Sequence, residues 1–222
     1  MIPPEQNGEF VARMEDVLDI YQWEYDENCP VVCMDEQPAQ LVKETRQPLP
    51  CEAGKPAKYD YEYERNGTAN NFMFTEPLAG WRRVSVRSQK TRQDWAKEVR
   101  SLLNEDYPDA ELVILVCDNL NTHTFGALYE TFPPQEAKRL ADRLDIRYTP
   151  KHGSWLNVAE IELSVLTKQC LSHRIADIET LRREAAAWAD RRNEMQTGVD
   201  WQFTTKNART KLKRLYPQIQ MT

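Results

Sequence analysis

Residues 112–116 read Leu-Val-Ile-Leu-Val, and this unbroken apolar run stops abruptly at Cys117-Asp118-Asn119. A strand with one wet face alternates apolar and polar residues, so a run with no alternation belongs to a strand covered on both faces, at the centre of a sheet flanked by helices. Ligand sites in such sheets gather at strand ends, which makes the carboxylate of Asp118 a candidate for chemistry; an Asx turn at the strand exit is the purely structural alternative. A chain of 222 residues is long enough to enclose one such core. Its hydrophobic content of 41% and charged content of 29% are those of globular proteins.

The remaining pattern supplies the partners of that strand. Val11, Met14, Val17, Leu18 and Tyr21 recur at helical spacing, predicting a helix over residues 9–27 that Pro30 ends. Val31-Val32-Cys33-Met34 opens a strand that contains Asp35. Residues 42–58 read as a loop. Tyr59, Tyr61 and Tyr63 alternate with acidic residues as in a half-buried strand, Asn66-Gly67 signals a turn, and strands are expected at 71–75 and again through Val84 and Val86. From Thr91 the period becomes helical through Trp95, Val99, Leu102 and Leu103, with Ser88 or Thr91 as cap and an end before Tyr107-Pro108. Pro133-Pro134 opens another helix, Ile146 to Thr149 form a short strand ended by Pro150, and helices follow from near Leu156 and over 178–194. Trp81, Trp95 and Trp188 fall on apolar faces and are expected in the core. Antiparallel strands followed by alternating helices and strands predict an α/β fold of the RNase H-like type, a mixed five-stranded sheet flanked by helices. The division expected is a helical lead-in over 1–29, the catalytic unit over 30–195 and a basic tail over 196–222.

Composition limits the function classes. No stretch approaches the roughly 18 uncharged residues of a membrane span and no leader pattern opens the chain, so a cytoplasmic location is expected. The five cysteines show no C-x-x-C spacing and read as reduced thiols, with Cys29, Cys33 and Cys51 only a weak zinc pattern. The net charge of −6 argues against a protein that simply coats nucleic acid. The charge is uneven, however. Residues 1–66 hold fifteen Asp or Glu against six Lys or Arg, net −9, which leaves +3 for the rest. In the tail, Lys206, Arg209, Lys211, Lys213 and Arg214 can track a phosphate backbone or form a solvated helix face.

Three carboxylates stand out by position: Asp35 in the first strand, Asp118 at the end of the central one, and Glu160 in the first turns of a late helix. Magnesium takes oxygen ligands and keeps several waters, so a few carboxylates suffice to hold it. Two such ions some 3.5 to 4 Å apart support in-line phosphoryl displacement. Adjacent strand residues point to opposite faces, so Asp35 and Glu36 cannot both enter one site. Glu160 and Glu162 diverge by about 200° around a helix, so they cannot both enter either.

The segments Met34-Asp35-Glu36, Leu115-Val116-Cys117-Asp118-Asn119 with His123 following, and Tyr148-Thr149-Pro150-Lys151-His152-Gly153-Ser154-Trp155-Leu156-Asn157-Val158-Ala159-Glu160 resemble the three catalytic blocks of DDE-type transposases of the mariner superfamily, with the bacterial insertion-sequence branch most similar. The family's last block usually reads Ser-Pro-acid-Leu-Asn-Pro-Ile-Glu. This chain keeps the Leu, the Asn and the final Glu, with Gly-Ser-Trp before them and Val-Ala between. The resemblance covers roughly residues 30–195. It implies Asp35, Asp118 and Glu160 as catalytic metal-holding residues, favouring Asp35 over Glu36 and Glu160 over Glu162. It further implies two Mg²⁺ or Mn²⁺ ions, and attack by water on a phosphodiester followed by attack of the freed 3′ hydroxyl on target DNA. DNA, as transposon ends and target, would be the partner and a homodimer the assembly. Asn119 and His123 are placed to touch metal-bound water or DNA, or else to serve the turn and cap the next helix. Lys151, His152, Trp155, Lys211 and Arg214 are the weaker DNA-contact candidates, and for Trp155 simple packing is an equal alternative. Family members carry a helix-turn-helix region ahead of the first block, where this chain has only an acidic stretch of about 30 residues, so end recognition is not expected within it.

Overall fold

The computed structural model describes residues 6–47, 49–56 and 60–218. The first helix, α1, spans Gly8–Ile20 and is capped by Asn7, whose side chain accepts from Phe10 N. It is shorter than the 9–27 expected. Beyond Tyr21 the apolar spacing is lost, and Trp23 and Tyr25 are exposed, so a further turn would bury nothing. The Tyr21 hydroxyl donates to the Leu156 carbonyl at 2.7 Å, which pins the chain where the helix stops.

Strand β1 (Val31–Glu44) runs antiparallel to β2 (Tyr63–Glu76), which pairs antiparallel with β3 (Trp81–Arg87). Both arms of the first hairpin are longer than the sequence pattern suggested. The loop expected from residue 42 begins only after Glu44, and the turn expected at Asn66-Gly67 is instead a bulge inside β2. There the register steps from Gln40↔Thr68 to Val42↔Arg65, so one residue of β1 faces two of β2. Gly67 takes up the extra residue at φ +89, a conformation that only glycine adopts cheaply. The alternating tyrosines therefore do not make a separate strand: Tyr63 begins β2, Tyr61 is exposed ahead of it, and Tyr59 lies outside the described residues.

Helix α2 (Arg92–Ser101) starts at Thr91, which forms a reciprocal capping box with Asp94, and continues into a π-helical turn over Leu102–Asp106. Strand β4 (Val113–Cys117) follows, with all five residues buried. After it come α3 (Phe125–Thr131), α4 (Pro134–Asp142), β5 (Leu144–Tyr148), a 3₁₀ turn at Ser154–Leu156, α5 (Val158–Gln169), α6 (Ile178–Glu194) and α7 (Thr205–Lys211). Helix α3 had no distinct apolar signature. No helix among the described residues is long and apolar enough to cross a membrane.

The sheet order is β3-β2-β1-β4-β5, with β1, β4 and β5 parallel. Alternation along the strands sends side chains to opposite faces. Cys33, Met73 and Val116 join a core beneath α1, α5, α6 and α7, whereas Val32, Met34, Phe72, Leu115 and Cys117 join one beneath α2, α3 and α4. This is the expected RNase H-like arrangement. Trp95 and Trp188 are buried in the two cores, and Trp81 packs edge-on against Tyr107 with ring centroids 5.2 Å apart.

Candidate active site

The parallel pairing of β1 with β4 matches Val31 to Ile114 and Cys33 to Val116. Carried two residues further, the register sets Asp35 abreast of Asp118, just past the end of β4. Asp35 shares the parity of Cys33 and so points toward α5. Glu36, with the parity of Met34, points to the opposite core.

Asn157 brings α5 to this place. It caps the helix by accepting from Ala159 N at 3.1 Å, while its Nδ2 donates to the Met34 carbonyl at 2.8 Å, immediately before Asp35. One buried side chain thus orients the helix and ties its start to β1. Glu160 falls in the first turn and faces a groove of about 360 Å³ lined also by Asp35, Thr167 and Lys168. A second groove, of about 350 Å³, shares Glu160 and Lys168 and extends to Trp155.

Asp35 and Glu160 both lie within reach of the Asp118 charge. Burial, with the nearby charges of Asp118, Glu160 and Glu36, pushes the Asp35 carboxyl up to about 7, against the opposing hydrogen bond from Glu36 N at 2.8 Å. Burial raises Glu160 as well; Ser154 opposes this and Asp118 adds to it. Glu162, two residues on, is elsewhere. Its carboxylate lies in the core, 3.1 Å from Arg82 Nε and 2.8 Å from an Arg192 amino nitrogen, an ion-pair cluster that joins α5 to β3 and α6.

His123 does not cap α3, whose N-cap position is Thr124. It is fully buried, with its ring stacked on Trp95 at 5.7 Å. Nε2 lies 2.7 Å from Glu36 Oε1. Nδ1 is 3.2 Å from the main-chain carbonyl of Asp118 and 2.8 Å from its Oδ1. Burial opposes the charged ring, but hydrogen bonds to Asp118, Cys117 and Glu36 prevail and push its pKa up to about 12. An imidazolium therefore bridges the carboxylates of Glu36 and Asp118. These three are also the single group of three metal-ligating side chains among the described residues, so Cys29, Cys33 and Cys51 are not gathered for zinc. The brace formed by Glu36 and Trp95 escaped the sequence, because nothing local links residues 36, 95 and 123.

The other candidates scatter. Asn119 is exposed just beyond Asp118. Lys151 and His152 are exposed on the loop after β5, where His152 has φ 66. Gly153 is required in that loop, since a Cβ there would lie 2.5 Å from Pro150 Cγ. Trp155 packs edge-on against Phe203 at 5.8 Å, and Lys211 Nζ lies 5.8 Å over the same Phe203 ring. Trp155 and Lys211, distant in sequence, therefore share one patch, while Arg214 is exposed in the turn after α7. Phe203 and Lys168 went unnoticed in the sequence; Phe203, two residues from Trp201 in a polar tail, was the available signal.

A mixed sheet in the order β3-β2-β1-β4-β5 with helices on both faces defines an RNase H-like fold. The model of the DDE superfamily endonuclease family matches residues 30–182, and the chain belongs to that family. No curated protein matches it. Among solved structures it is similar to the catalytic domain of Mos1 mariner transposase, at 13% identity over 89% of this chain and 96% of that one, with a TM-score of 0.53. The Mos1 mariner paired-end complex with Mn is similar over 89% of this chain and 60% of that one, at 16% identity and a TM-score of 0.56. The corresponding complex with Mg gives 98% and 66%, 15% identity and a TM-score of 0.59. At these identities the likeness is one of fold. The chain spans about 60% of the length of the transposase in the Mn complex.

Proposed function

We propose that this chain is the catalytic core of a transposase of the mariner superfamily, bacterial insertion-sequence branch, which cleaves and joins DNA strands with Asp35, Asp118 and Glu160 as its metal-holding carboxylates. The observation that carries the proposal is the convergence of Asp35 and Glu160 on one groove with Asp118 abreast, while Glu162 is consumed by Arg82 and Arg192. The donor set suits Mg²⁺ or Mn²⁺, two ions in this proposal, because all three groups are hard oxygen ligands. Bound there, divalent ions supply Lewis-acid stabilisation of the charge that develops on the attacked phosphodiester.

The chain's own residues perform the positioning. The His123 imidazolium holds Asp118 against rotation, and Asn157 fixes where Glu160 sits relative to β1. Lys168 lines both grooves and is placed to meet a phosphate, and the patch of Trp155, Phe203 and Lys211 offers an aromatic surface to a strand end. Asn119, Lys151, His152 and Arg214 complete the proposed DNA contacts. The same proposal takes 30–195 as the catalytic unit, 1–29 as lead-in and 196–222 as basic tail, with α1 and α7 packed on the core beneath α5. It also takes a homodimer that pairs transposon ends.

The test is divalent-metal-dependent nicking and joining of labelled duplex DNA by the purified chain beside Asp118→Asn. Cleavage and joining that disappear in the variant support the proposal. Cleavage that the variant retains refutes it, and cleavage without joining reduces the activity to that of a nuclease.

A further inference from the structure

A separate cavity of about 260 Å³ lies between the segment after α1, the start of β1, the β2–β3 turn and the segment before α7. Four aromatic residues line it: Tyr21, Trp23, Tyr25 and Trp201. Trp23, Tyr25 and Leu78 on its wall are 47%, 57% and 48% exposed, so three of the largest exposed apolar side chains gather at one opening. Tyr21 and Trp201 offer it ring surface rather than polar ends. The Tyr21 hydroxyl is spent on the Leu156 carbonyl, and the Trp201 indole N–H donates to the Phe203 carbonyl at 2.8 Å.

The charged residues on the wall are all acidic. Glu24, Asp26 and Glu76 line the cavity, and no Lys, Arg or His among the described residues does. Tyr107 donates to one oxygen of Glu76 at 2.8 Å, and Asn28 N to one oxygen of Asp26 at 2.9 Å, so each carboxylate keeps a second oxygen for another donor. Aromatic faces with carboxylates at the same opening attract a cation through the ring quadrupole and through direct charge. The volume is smaller than the roughly 300–1,000 Å³ of sites that enclose a whole small molecule, and suits a single long side chain. A planar guanidinium stacks on aromatic rings and donates to carboxylates at once, which an ammonium does less well.

We propose that this cavity receives an arginine side chain from a basic peptide segment of a partner protein. The site is independent of Asp35, Asp118 and Glu160. The test is calorimetric titration of the full chain with a blocked seven-residue peptide carrying one central arginine, beside its citrulline counterpart, which has the same shape without the charge. Saturable binding is expected, weakened at least tenfold by citrulline and by the double variant Trp23→Ala with Asp26→Asn, and unchanged in Asp118→Asn. Both altered residues are at the surface, and an unchanged melting curve checks that the variant folds. Absence of binding, equal binding of the citrulline peptide, or loss in Asp118→Asn alone would each overturn the proposal, the last by placing the peptide on the acidic groove. Self-association of the chain that the double variant abolishes, seen by sedimentation without added peptide, would overturn it in favour of a second copy as occupant.

Discussion

Asp35→Asn is expected to stabilise the metal-free chain above neutral pH, although it removes a residue proposed to be essential. Burial and the neighbouring carboxylates raise the Asp35 pKa from 3.8 to about 7 in the folded state. A carboxyl group with a raised folded pKa is favourable to folding when protonated. It becomes progressively unfavourable as pH climbs through the window between the two values, and its full penalty applies above about 7. Each pKa unit corresponds to about 1.4 kcal/mol, so the shift is worth about 4 kcal/mol at pH 8 and about 2 kcal/mol at pH 5. Wild-type stability in EDTA should therefore fall by about 2–3 kcal/mol between pH 5 and pH 8 relative to Asp35→Asn. Asparagine keeps an oxygen to accept from Glu36 N, so the local hydrogen bond survives. Urea denaturation followed by circular dichroism at the two pH values measures the difference, and groups common to both proteins largely cancel in it. Saturating Mg²⁺ should recover the loss in the wild type and do much less in the variant. A variant that is less stable than the wild type at pH 8, or a pH-independent difference, would refute the reasoning that these carboxylates are crowded and buried together.

Four further substitutions separate chemistry from architecture. Glu160→Gln should abolish cleavage with little change in urea midpoint, whereas Glu162→Gln should cost about 3–5 kcal/mol by leaving Arg82 and Arg192 buried without their counter-charge; equal effects of the two on stability would contradict their different surroundings. His123→Ala should destabilise by about 2–4 kcal/mol, since it opens a cavity against Trp95 and leaves the Glu36 carboxylate buried without its partner, and a thermal midpoint matching wild type would count against the brace. Asn157→Ala should lose about 1–2 kcal/mol for the cap and the bond to the Met34 carbonyl, and lower cleavage more than that loss explains, because α5 is no longer registered on β1; activity that stays in proportion to the folded fraction would argue otherwise.

Period, punctuation and strand polarity are local properties, and they were legible in the chain. The apolar run before Asp118 is the buried β4, Thr91, one of the two caps expected, opens α2, and the stripe Leu156, Ala159, Leu163 and Leu166 is the buried side of α5 and the turn before it. Glycine and asparagine misled where tertiary pairing outweighed a local turn signal: Asn66-Gly67 forms a bulge because the long partner strand β1 holds β2 extended on both sides of it. The end of α1 was equally hidden, since the hydroxyl that anchors Tyr21 reaches a carbonyl 135 residues away.

The sequence by itself determined the fold class, because alternation and helical phase decide which residues can share a face, and it singled out three acidic segments by their resemblance to the family's blocks. Only the tertiary structure decided where each carboxylate lies and what surrounds it. Glu160 and Glu162 are alike in type and nearly adjacent, yet one opens onto a groove with Asp35 and the other is enclosed between two arginines from β3 and α6. The same holds for His123, whose charge is set by Glu36, Asp118 and Cys117 and whose ring is held by Trp95. These are contacts between elements far apart in the chain, and their energies depend on burial and distance, which no local pattern of residues encodes.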